Sequence, residues 1–335
     1  MKVCYYVPVQ DKNIIDRVLF YSTDLRILRE LGHDVIVATR FKEIPFGCDL
    51  YFVWWWTWAF LPAIKSLPGF KPLIISGVFD YGEKSLKGVG NFYIYRPYWQ
   101  RFLIKICMLN ATSNILVSRY EFNQIRLKLG VKNIEYIPLA VDTSYFKPST
   151  RYAPPFLLNI AWSSSLNAAR KCLMQIIESF SIIVNEIPDI RLVMAGTPGD
   201  YHSVLVDRAR ELKLIDRIDF LGVITEDKKL DLMQQCAVYL QPTIHEGFGL
   251  AIAEAMACGA IVVSSPVGSI PEVVADAGVM IDSTTDIATA VLKILDDTEL
   301  QIRLRCKSRE RIVDKFSYEA RRDSIDNLIS RFLKN

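Results

Sequence analysis

The sequence predicts an α/β protein with two parallel-sheet domains, and three observations support this prediction. Short β-branched and aromatic runs alternate with longer amphipathic stretches along the whole chain, as expected of successive βαβ units. A length of 335 residues suits two domains of about 150 residues each. A polar, proline-containing stretch from Pro138 to Pro155 separates two such series and predicts a linker. We therefore expect domains at 1–150 and 151–316.

The first series contains six predicted strands and three predicted helices. The strands are expected at 2–7, 35–39, 50–54, 73–76, 115–118 and 134–137, where β-branched and aromatic residues cluster. The helices are expected at 14–31, 98–109 and 119–129. Gly32 and Gly130 follow the first and last of these helices at the C′ position, where a left-handed residue ends a helix.

The second series repeats the alternation after the linker. Its strands are predicted at 156–161, 190–195, 218–221, 238–241, 260–264 and 278–281. Its helices are predicted at 168–186, 201–212, 226–235 and 250–258, with a short helix from Ile270 and helices at the end. Because open parallel sheets bind ligands at the carboxyl ends of their strands, two such domains predict one site in a cleft between them.

Composition and charge exclude several classes of function. A net charge of +3 provides no global field for nucleic acid, so we expect no nucleic-acid partner. The seven cysteines are scattered and never in C-x-x-C spacing, which argues against disulfides or a zinc site and fits the cytoplasm. The N-terminus does not resemble a signal peptide, and the apolar run 50–62 is too short to span a bilayer. Its tryptophans, Trp54, Trp55, Trp56 and Trp58, are unusual.

The most informative segment is 242–259, PTIHEGFGLAIAEAMACG. Glu246 and Glu254 are separated by seven residues, across a turn and two helical turns, so both carboxylates can face one cleft. Gly247 and Gly249 allow a ligand to approach the backbone, and a helix beginning at Leu250 would offer free amides to a phosphate. Carboxylates for hydroxyls beside amides for phosphates are what a nucleotide-sugar requires.

Other interpretations of this segment are weaker. An H-E-x-x-H zinc site would need a histidine at Gly249, and a G-x-G-x-x-G dinucleotide motif would need glycine or alanine at Ile252. Glu254 alone could be an ordinary solvated helix residue. It lies, however, in the small and apolar run LAIAEAMACGAIVV, where a charge is costly unless it is paired or bound to a ligand.

At this point the sequence resembles the retaining nucleotide-sugar glycosyltransferases of the GT-B type, glycosyltransferase family 4 (glycosyl transferases group 1). The Glu-x7-Glu motif EGFGLAIAE and the following AMACGAIVVSSPVGSIPEVV carry the resemblance, with Ser269 in place of a family glycine. Looser matches are KCLMQIIESF, LRELGHDVIVAT and IEYIPLAVDTSYFKP. The resemblance implies two Rossmann-like domains facing each other across a cleft, with the C-terminal helix, 317–335, packing back on the first domain.

The resemblance also implies roles for individual residues. Glu246 would contact the transferred sugar and stabilise charge at the reacting centre, Glu254 would hold the ribose hydroxyls, and Lys171 would neutralise the leaving diphosphate. The donor, a nucleoside-diphosphate-sugar of the UDP or GDP type, would also contact a further set of residues, Gly247, Phe248, Gly249, Leu250, Gly196 and Val223. The loops at Gly196 and Val223 could equally be simple turns. We expect no metal and no other cofactor, because Asp-x-Asp does not occur in the sequence.

Three departures from the family pattern affect the diphosphate and acceptor sides. The family's Gly-Arg pair is replaced by Ala161 and Trp162, which makes Arg170 the candidate substitute. The glycine pair after the first strand is replaced by PVQDKN at 8–13. The histidine after the fourth strand is absent, and Asp80 is the candidate for a comparable acceptor-side catalytic role or, equally, a turn aspartate.

The aromatic excess suggests where an acceptor comes from. Arg96, Arg101 and Lys105 accompany aromatic residues in YIYRPYWQRFLIKICML at 93–109, at spacings that place the basic groups along one side of a helix. Such a helix could rest on an anionic membrane, at the inner face, although a stripe of this kind is more often core.

The sequence therefore predicts a retaining, metal-independent glycosyltransferase acting on a glycan or lipid-linked acceptor. A non-catalytic subunit that binds nucleotide-sugar, and an epimerase or hydrolase of the same fold, remain alternatives.

Overall fold

The computed structural model describes residues 1–82, 88, 92–149 and 155–333, and these form two units, each built on one six-stranded parallel sheet. Unit 1 contains the described residues of 1–87, 91–140 and 318–335. Unit 2 contains those of 88–90 and 141–317. No helix in the described ranges combines the length and apolarity needed to cross a membrane.

The sheet of unit 1 has the strand order β2-β1-β3-β4-β5-β6. Its strands are β1 (Lys2–Tyr6), β2 (Asp34–Ala38), β3 (Leu50–Trp54), β4 (Leu73–Gly77), β5 (Ser113–Leu116) and β6 (Ile134–Tyr136). Its first helices are α1 (Ile14–Arg17), α2 (Leu19–Glu30), α3 (Phe60–Ser66), α4 (Tyr98–Asn110) and α5 (Arg119–Leu129). The strands β3 and β4 are buried along their whole length, as expected for a sheet covered on both faces.

Two helices of unit 1 differ from the sequence-based expectation. The helix predicted at 14–31 is two helices, because Val18 between them has an extended backbone (φ −92°, ψ 113°). The helix α3 was not predicted, since its residues follow a β-branched and aromatic run that is typical of a strand. Its Pro62 lies in the first turn, where a missing N–H costs no helical hydrogen bond.

The sheet of unit 2 has the strand order β12-β11-β10-β7-β8-β9. Its strands are β7 (Phe156–Ile160), β8 (Arg191–Ala195), β9 (Ile218–Gly222), β10 (Val238–Gln241), β11 (Ile261–Ser264) and β12 (Val279–Met280). Its helices are α6 (Ser165–Arg170), α7 (Leu173–Glu186), α8 (His202–Glu211), α9 (Glu226–Gln235), α10 (Leu250–Ala257), α11 (Ile270–Val274), α12 (Ile287–Asp296) and α13 (Thr298–Phe316). Apolar side chains of these elements form one core, with Phe180, Val238 and Val291 fully buried in it.

The prediction of one continuous helix at 168–186 was wrong. The chain leaves α6 at Arg170, and Cys172 adopts a left-handed conformation (φ 49°, ψ 42°) before α7 begins at Leu173. Lys171 therefore lies at the junction of two helices instead of inside one.

Residues 141–149 of the stretch expected to be a linker belong to unit 2. Arg309 of α13 donates hydrogen bonds from Nη1 to the carbonyl of Phe146 and from Nη2 to the carbonyl of Thr143, at 2.7 and 2.9 Å. The N–H of Val141 donates to the carbonyl of Phe316 at 2.8 Å. Residues 138–140 of the predicted linker belong to unit 1, and 150–154 lie outside the described residues.

The last helix, α14 (Tyr318–Leu333), belongs to unit 1. Arg321 on this helix is buried and donates to both carboxylate oxygens of Asp24, from Nε at 2.6 Å and from Nη2 at 2.8 Å. Its Nη1 also donates to the carbonyls of Ile137 and Pro138. Asp24 is itself fully buried, so the pair compensates two charges that water cannot reach.

Candidate functional site

The candidate site lies in the parallel sheet of unit 2, at the point where the order in which strands are added reverses. From β7 the chain moves outward to β8 and β9, whereas from β10 it moves the other way to β11 and β12. The loops that follow β7 and β10 therefore leave adjacent strands on opposite sides of this point. Such a topological switch point opens a crevice at the carboxyl ends of the strands, where doubly wound sheets bind their ligands.

The helix break after β7 fixes Arg170 and Lys171 beside the loop that follows β10. The Arg170 carbonyl accepts hydrogen bonds from the Thr243 hydroxyl and from the N–H of Ile244, both at 2.9 Å. The guanidinium of Arg170 donates from Nη1 to the carbonyl of His245 at 3.2 Å. Main-chain and side-chain bonds thus join the two loops across the switch point.

The carboxylate of Glu246 is the centre of a three-donor cluster. Its Oε2 atom lies 3.5 Å from Nη1 of Arg170 and 3.7 Å from Nζ of Lys171. The same oxygen accepts a hydrogen bond from Nε2 of Gln241 at 3.3 Å. The structure therefore brings together Glu246, Lys171 and Arg170, which the sequence indicates for different reasons.

Two cations against one carboxylate give this cluster an excess of positive charge. The side chains are mostly buried, with exposed fractions of 14% for Lys171, 22% for Arg170 and 13% for Glu246. Burial lowers the pKa of Lys171, and Glu246 opposes this shift. A bound anion would offset the cost of keeping both cations charged in this partly desolvated position.

Gln241 orients Glu246 from the strand side. Its Oε1 atom accepts a hydrogen bond from the Tyr239 hydroxyl at 2.9 Å, which directs the amide nitrogen of Gln241 toward Glu246. Tyr239 and Gln241 are both fully buried on β10. Burial raises the pKa of Tyr239 well above its usual range, and the negative charges of Glu254 and Glu246 add to this shift. The tyrosine therefore keeps its hydroxyl proton at neutral pH and is the donor of its hydrogen bond to Gln241.

Two glycines permit the tight backbone around Glu246. Gly268 has φ +56°, and a Cβ atom there would lie 2.1 Å from the Glu246 carbonyl oxygen. Gly249 has φ +90° and forms the N-cap of α10, where a Cβ atom would lie 2.9 Å from Cδ1 of Ile270. Leu250 is the first residue of α10, so its amide is among those with no acceptor inside the helix. These amides and the helix dipole favour an anion next to Glu246.

Three other residues predicted to contact the donor are Phe248, Gly196 and Val223, and none of them belongs to the Glu246 cluster. Phe248 is buried and packs edge-on against Phe316 at a centroid distance of 5.7 Å, so its side chain belongs to the core. Gly196 follows β8 with φ +130°, and a Cβ atom there would lie 2.2 Å from the Ala161 carbonyl oxygen. Val223 follows β9, and its side chain is exposed. Gly196 and Val223 follow neighbouring strands, so their loops leave the same edge of the sheet.

Glu254 has its own cationic partner. This carboxylate is buried in α10, and its Oε2 atom lies 3.1 Å from Nζ of Lys229 on α9. Lys229 also contacts Glu226 at 2.7 Å. Burial raises the pKa of Glu254, and Lys229 opposes the shift. The charge of Glu254 within its apolar run is thus compensated by Lys229, a residue that the sequence did not indicate.

Asp80 lies in unit 1, three residues after β4. Its carbonyl accepts a hydrogen bond from the N–H of Tyr93 at 2.8 Å, and its side chain is half-buried. The neighbouring Phe79 N–H donates to the buried carboxylate of Glu121 at 3.1 Å, which holds this loop on the N-terminus of α5. Burial, together with the charge of Asp80, raises the pKa of Glu121 well above its usual range.

Sequence reasoning missed Gln241, Tyr239 and Lys229. Gln241 and Tyr239 belong to a predicted strand whose polar positions gave no sign of facing the site. Lys229 lies in the highly charged run EDKKLDL, which is typical of a solvated helix face.

Among the described residues, no group of three or more His, Cys, Asp or Glu side chains could hold a metal ion.

Residues 160–311 match the family described as Glycosyl transferases group 1. The gpi3 subunit of phosphatidylinositol N-acetylglucosaminyltransferase from Schizosaccharomyces pombe is 32% identical over 176 residues, which are 51% of this chain and 38% of that protein. A phosphatidyl-myo-inositol mannosyltransferase from Mycolicibacterium smegmatis is 27% identical over 65% of this chain and 55% of its own length. This chain thus spans about half, or less, of the curated relatives it matches.

Solved structures show the fold of the whole chain. Sucrose-phosphate synthase from Thermosynechococcus elongatus superposes with a TM-score of 0.78 at 18% identity, covering 99% of both chains. HepE from Anabaena, in complex with UDP, superposes with a TM-score of 0.75 at 15% identity, covering 99% of this chain and 100% of that one. The predicted fold class is confirmed: the chain has the GT-B fold of two Rossmann-like domains, and its residues 160–311 are similar to the glycosyl transferases group 1 family.

Proposed function

We propose that this protein is a glycosyltransferase that moves a sugar from a nucleoside-diphosphate-sugar to a hydroxyl group of a glycan or lipid-linked acceptor. The observation that carries the proposal is the cluster of Arg170, Lys171 and Glu246 at the switch point of unit 2, beside the N-terminus of α10. A diphosphate needs cations and amide donors, and a reacting sugar needs a carboxylate near its developing positive charge. The cluster offers all of these within one loop pair.

The roles follow from the charge that develops during transfer. Breaking the bond between sugar and phosphate places negative charge on the leaving diphosphate, which Lys171, Arg170 and the first amides of α10 are suited to receive. The sugar acquires oxocarbenium character, which the Glu246 carboxylate stabilises. Because two cations and a helix terminus carry the diphosphate, we expect no metal requirement. We propose retention of anomeric configuration, as in family 4.

The remaining donor contacts follow the same scheme. Glu254 is proposed to accept hydrogen bonds from the ribose hydroxyls, with Lys229 keeping it ionised at Oε2. The loops at Gly196 and Val223 are proposed to contact the base through backbone atoms. UDP-sugars are the first donors to test, since the structure of HepE contains UDP.

The acceptor proposal rests on the relatives and on unit 1. The names of two relatives include phosphatidylinositol or phosphatidyl-myo-inositol, which are membrane lipids. We propose a lipid-linked acceptor for this chain as well, with Asp80 on the acceptor side. The protein would then act at the inner face of a membrane, in the cytoplasm.

Ligand binding and donor cleavage test the proposal. Purified protein is screened with common sugar nucleotides for a rise in melting temperature, because only a ligand of the native state stabilises it. The donor that stabilises it is then incubated with wild type, Glu246→Gln and the surface control Glu299→Gln. We expect slow release of nucleoside diphosphate by wild type and the control, and at least about a hundredfold less by Glu246→Gln. Tight donor binding without turnover under any acceptor would indicate a binding subunit and contradict the proposal.

A further inference from the structure

Unit 1 carries an apolar surface that no described element covers. It is formed by α3, α4 and the turn after α3, and we call it the α3–α4 face. The helices α3 and α4 are in contact with each other. Large apolar side chains stand out from this face, with exposed fractions of 94% for Phe70, 77% for Tyr98, 55% for Phe102 and 54% for Trp99.

The helix α4 is apolar on both sides. Ile104, Cys107 and Met108 are buried in the core of unit 1. The outward side of the same helix presents a second apolar stripe at helical spacing, made of Tyr98, Trp99, Phe102, Ile106 and Leu109. A helix at the surface of a monomer normally has a polar outer side. A contiguous exposed apolar surface of this kind indicates a binding surface.

The charged residues of α3 and α4 themselves are all basic. The sequence contains no Asp or Glu at 50–79 or at 84–120, the stretches that include α3 and α4. Lys65 lies on α3, and Arg101 and Lys105 lie on α4. Lys71, after α3, lies 4.0 Å from Asp49. On α4, Lys105 is exposed and Arg101 is half-buried, with its guanidinium near the rings of Tyr93 and Tyr98.

We propose that the α3–α4 face binds the surface of an anionic phospholipid bilayer. Aromatic rings and leucine side chains would enter the boundary between headgroups and acyl chains, while Arg101 and Lys105 would reach the phosphates beside them. A second copy of this chain fits less well, since a two-fold interface would place the same basic face against itself. The inference rests on the proposed function in one respect: a lipid-linked acceptor would be presented in the plane that this face binds.

The test is flotation of the full-length protein with vesicles. One set contains phosphatidylcholine alone, and the other contains phosphatidylcholine with phosphatidylglycerol. The variants are Trp99→Ser/Phe102→Ser for apolar insertion and Arg101→Gln/Lys105→Gln for charge. The matched control is Leu127→Ser/Lys132→Gln, which removes an exposed leucine and an exposed lysine elsewhere on unit 1.

We expect wild type and the control to float with anionic vesicles and much less with neutral ones. Removing two basic groups should weaken binding to anionic vesicles about tenfold to thirtyfold, and high salt should have a similar effect. Removing the two aromatic side chains should weaken it at any salt concentration. Equal flotation of all variants, or no flotation of wild type, would overturn the proposal.

Two further measurements keep the outcomes distinct. Donor-induced thermal stabilisation of each variant shows whether it is folded and whether the donor site works, so loss of flotation with normal donor binding supports the inference and leaves the proposed function intact. Size-exclusion chromatography of wild type and Trp99→Ser/Phe102→Ser is the second. A dimer that dissociates in this variant, with no vesicle binding by wild type, would assign the face to a second copy and contradict the inference.

Discussion

The Nζ atom of Lys171 lies 3.7 Å from Oε2 of Glu246, and Arg170 reaches the same oxygen at 3.5 Å. Where the family resemblance predicts an arginine, the chain has Ala161 and Trp162, so neither cation is that arginine. The break at Cys172 allows two consecutive residues to point their charges at one carboxylate. A bound diphosphate would compete with Glu246 for both cations.

The first prediction concerns the separate contributions of these cations. Replacing Lys171 by Met or Arg170 by Gln should each weaken UDP binding about tenfold to a hundredfold, the usual cost of losing a hydrogen bond to a charged group. Isothermal titration calorimetry measures the affinity of each variant for UDP, with Lys132→Met on unit 1 as the control. Unchanged affinity in Lys171→Met would remove Lys171 from the donor site.

The second prediction concerns pH. Burial lowers the pKa of Lys171 below its ordinary value of 10.5 in the folded protein. Between the folded pKa and about 10.5 the unfolded chain therefore binds the extra proton, and the contribution of Lys171 to stability rises with pH in that window. Urea unfolding of wild type and Lys171→Met at several pH values should show wild type gaining on the variant as pH rises toward 10.5. A constant or shrinking difference would mean that the pKa is not lowered.

The third prediction concerns Gly268. Gly268→Ala would place a Cβ atom 2.1 Å from the Glu246 carbonyl oxygen and must displace that residue. Gly130→Ala is the matched control, because Gly130 also has positive φ (+70°) but has open space around its Cβ position. The control should lose about 1 kcal/mol of stability from backbone strain. Gly268→Ala should lose about 1–3 kcal/mol more and bind donor less tightly. Equal losses in both variants would show that the loop moves aside without cost.

The fourth prediction concerns Lys229 and Glu254. Lys229→Met leaves a buried carboxylate without its ammonium group, which should cost about 3–5 kcal/mol of unfolding free energy. The double variant Lys229→Met/Glu254→Gln should recover part of this loss, and a double-mutant cycle from urea unfolding measures how much. Additive losses would mean that the two side chains are not coupled.

The fifth prediction concerns the buried pair of Asp24 and Arg321 in unit 1. Arg321→Met should cost about 3–5 kcal/mol because Asp24 would lose both of its hydrogen bonds from Arg321. Asp24→Asn/Arg321→Met should be more stable than Arg321→Met alone. Thermal unfolding compares them, with Arg322→Met on the exposed side of α14 as the control. A single variant as stable as the control would contradict the structure here.

Sequence reasoning succeeded where periodicity and local signals act together. The strand β3 and the helix α5, which begins after the Ser118 cap and ends at Gly130, have the bounds that the sequence predicted. Reasoning failed at the break between α6 and α7, because hydrogen bonds from Thr243 and Ile244, distant in sequence, satisfy the Arg170 carbonyl there.

The same limit applies to the candidate site. The segment around Glu246 was recognisable because its glycines and carboxylates lie close together in sequence. The partnership of Glu254 with Lys229 depends on how α9 packs against α10, and no local pattern in either helix indicates it. Tertiary contacts between distant segments thus determined which charged residues were missed.

The salt bridge between Asp24 and Arg321 has a consequence for the order in which a nascent chain folds. Arg321 leaves the ribosome after residues 141–317 have been made, which at usual rates of synthesis takes roughly ten to forty seconds. During that time the N-terminal sheet has to form without the residue that neutralises Asp24. By then most of unit 2, residues 141–317, has been translated. We therefore expect the sheet of unit 1 to reach its full stability only after unit 2 has been translated.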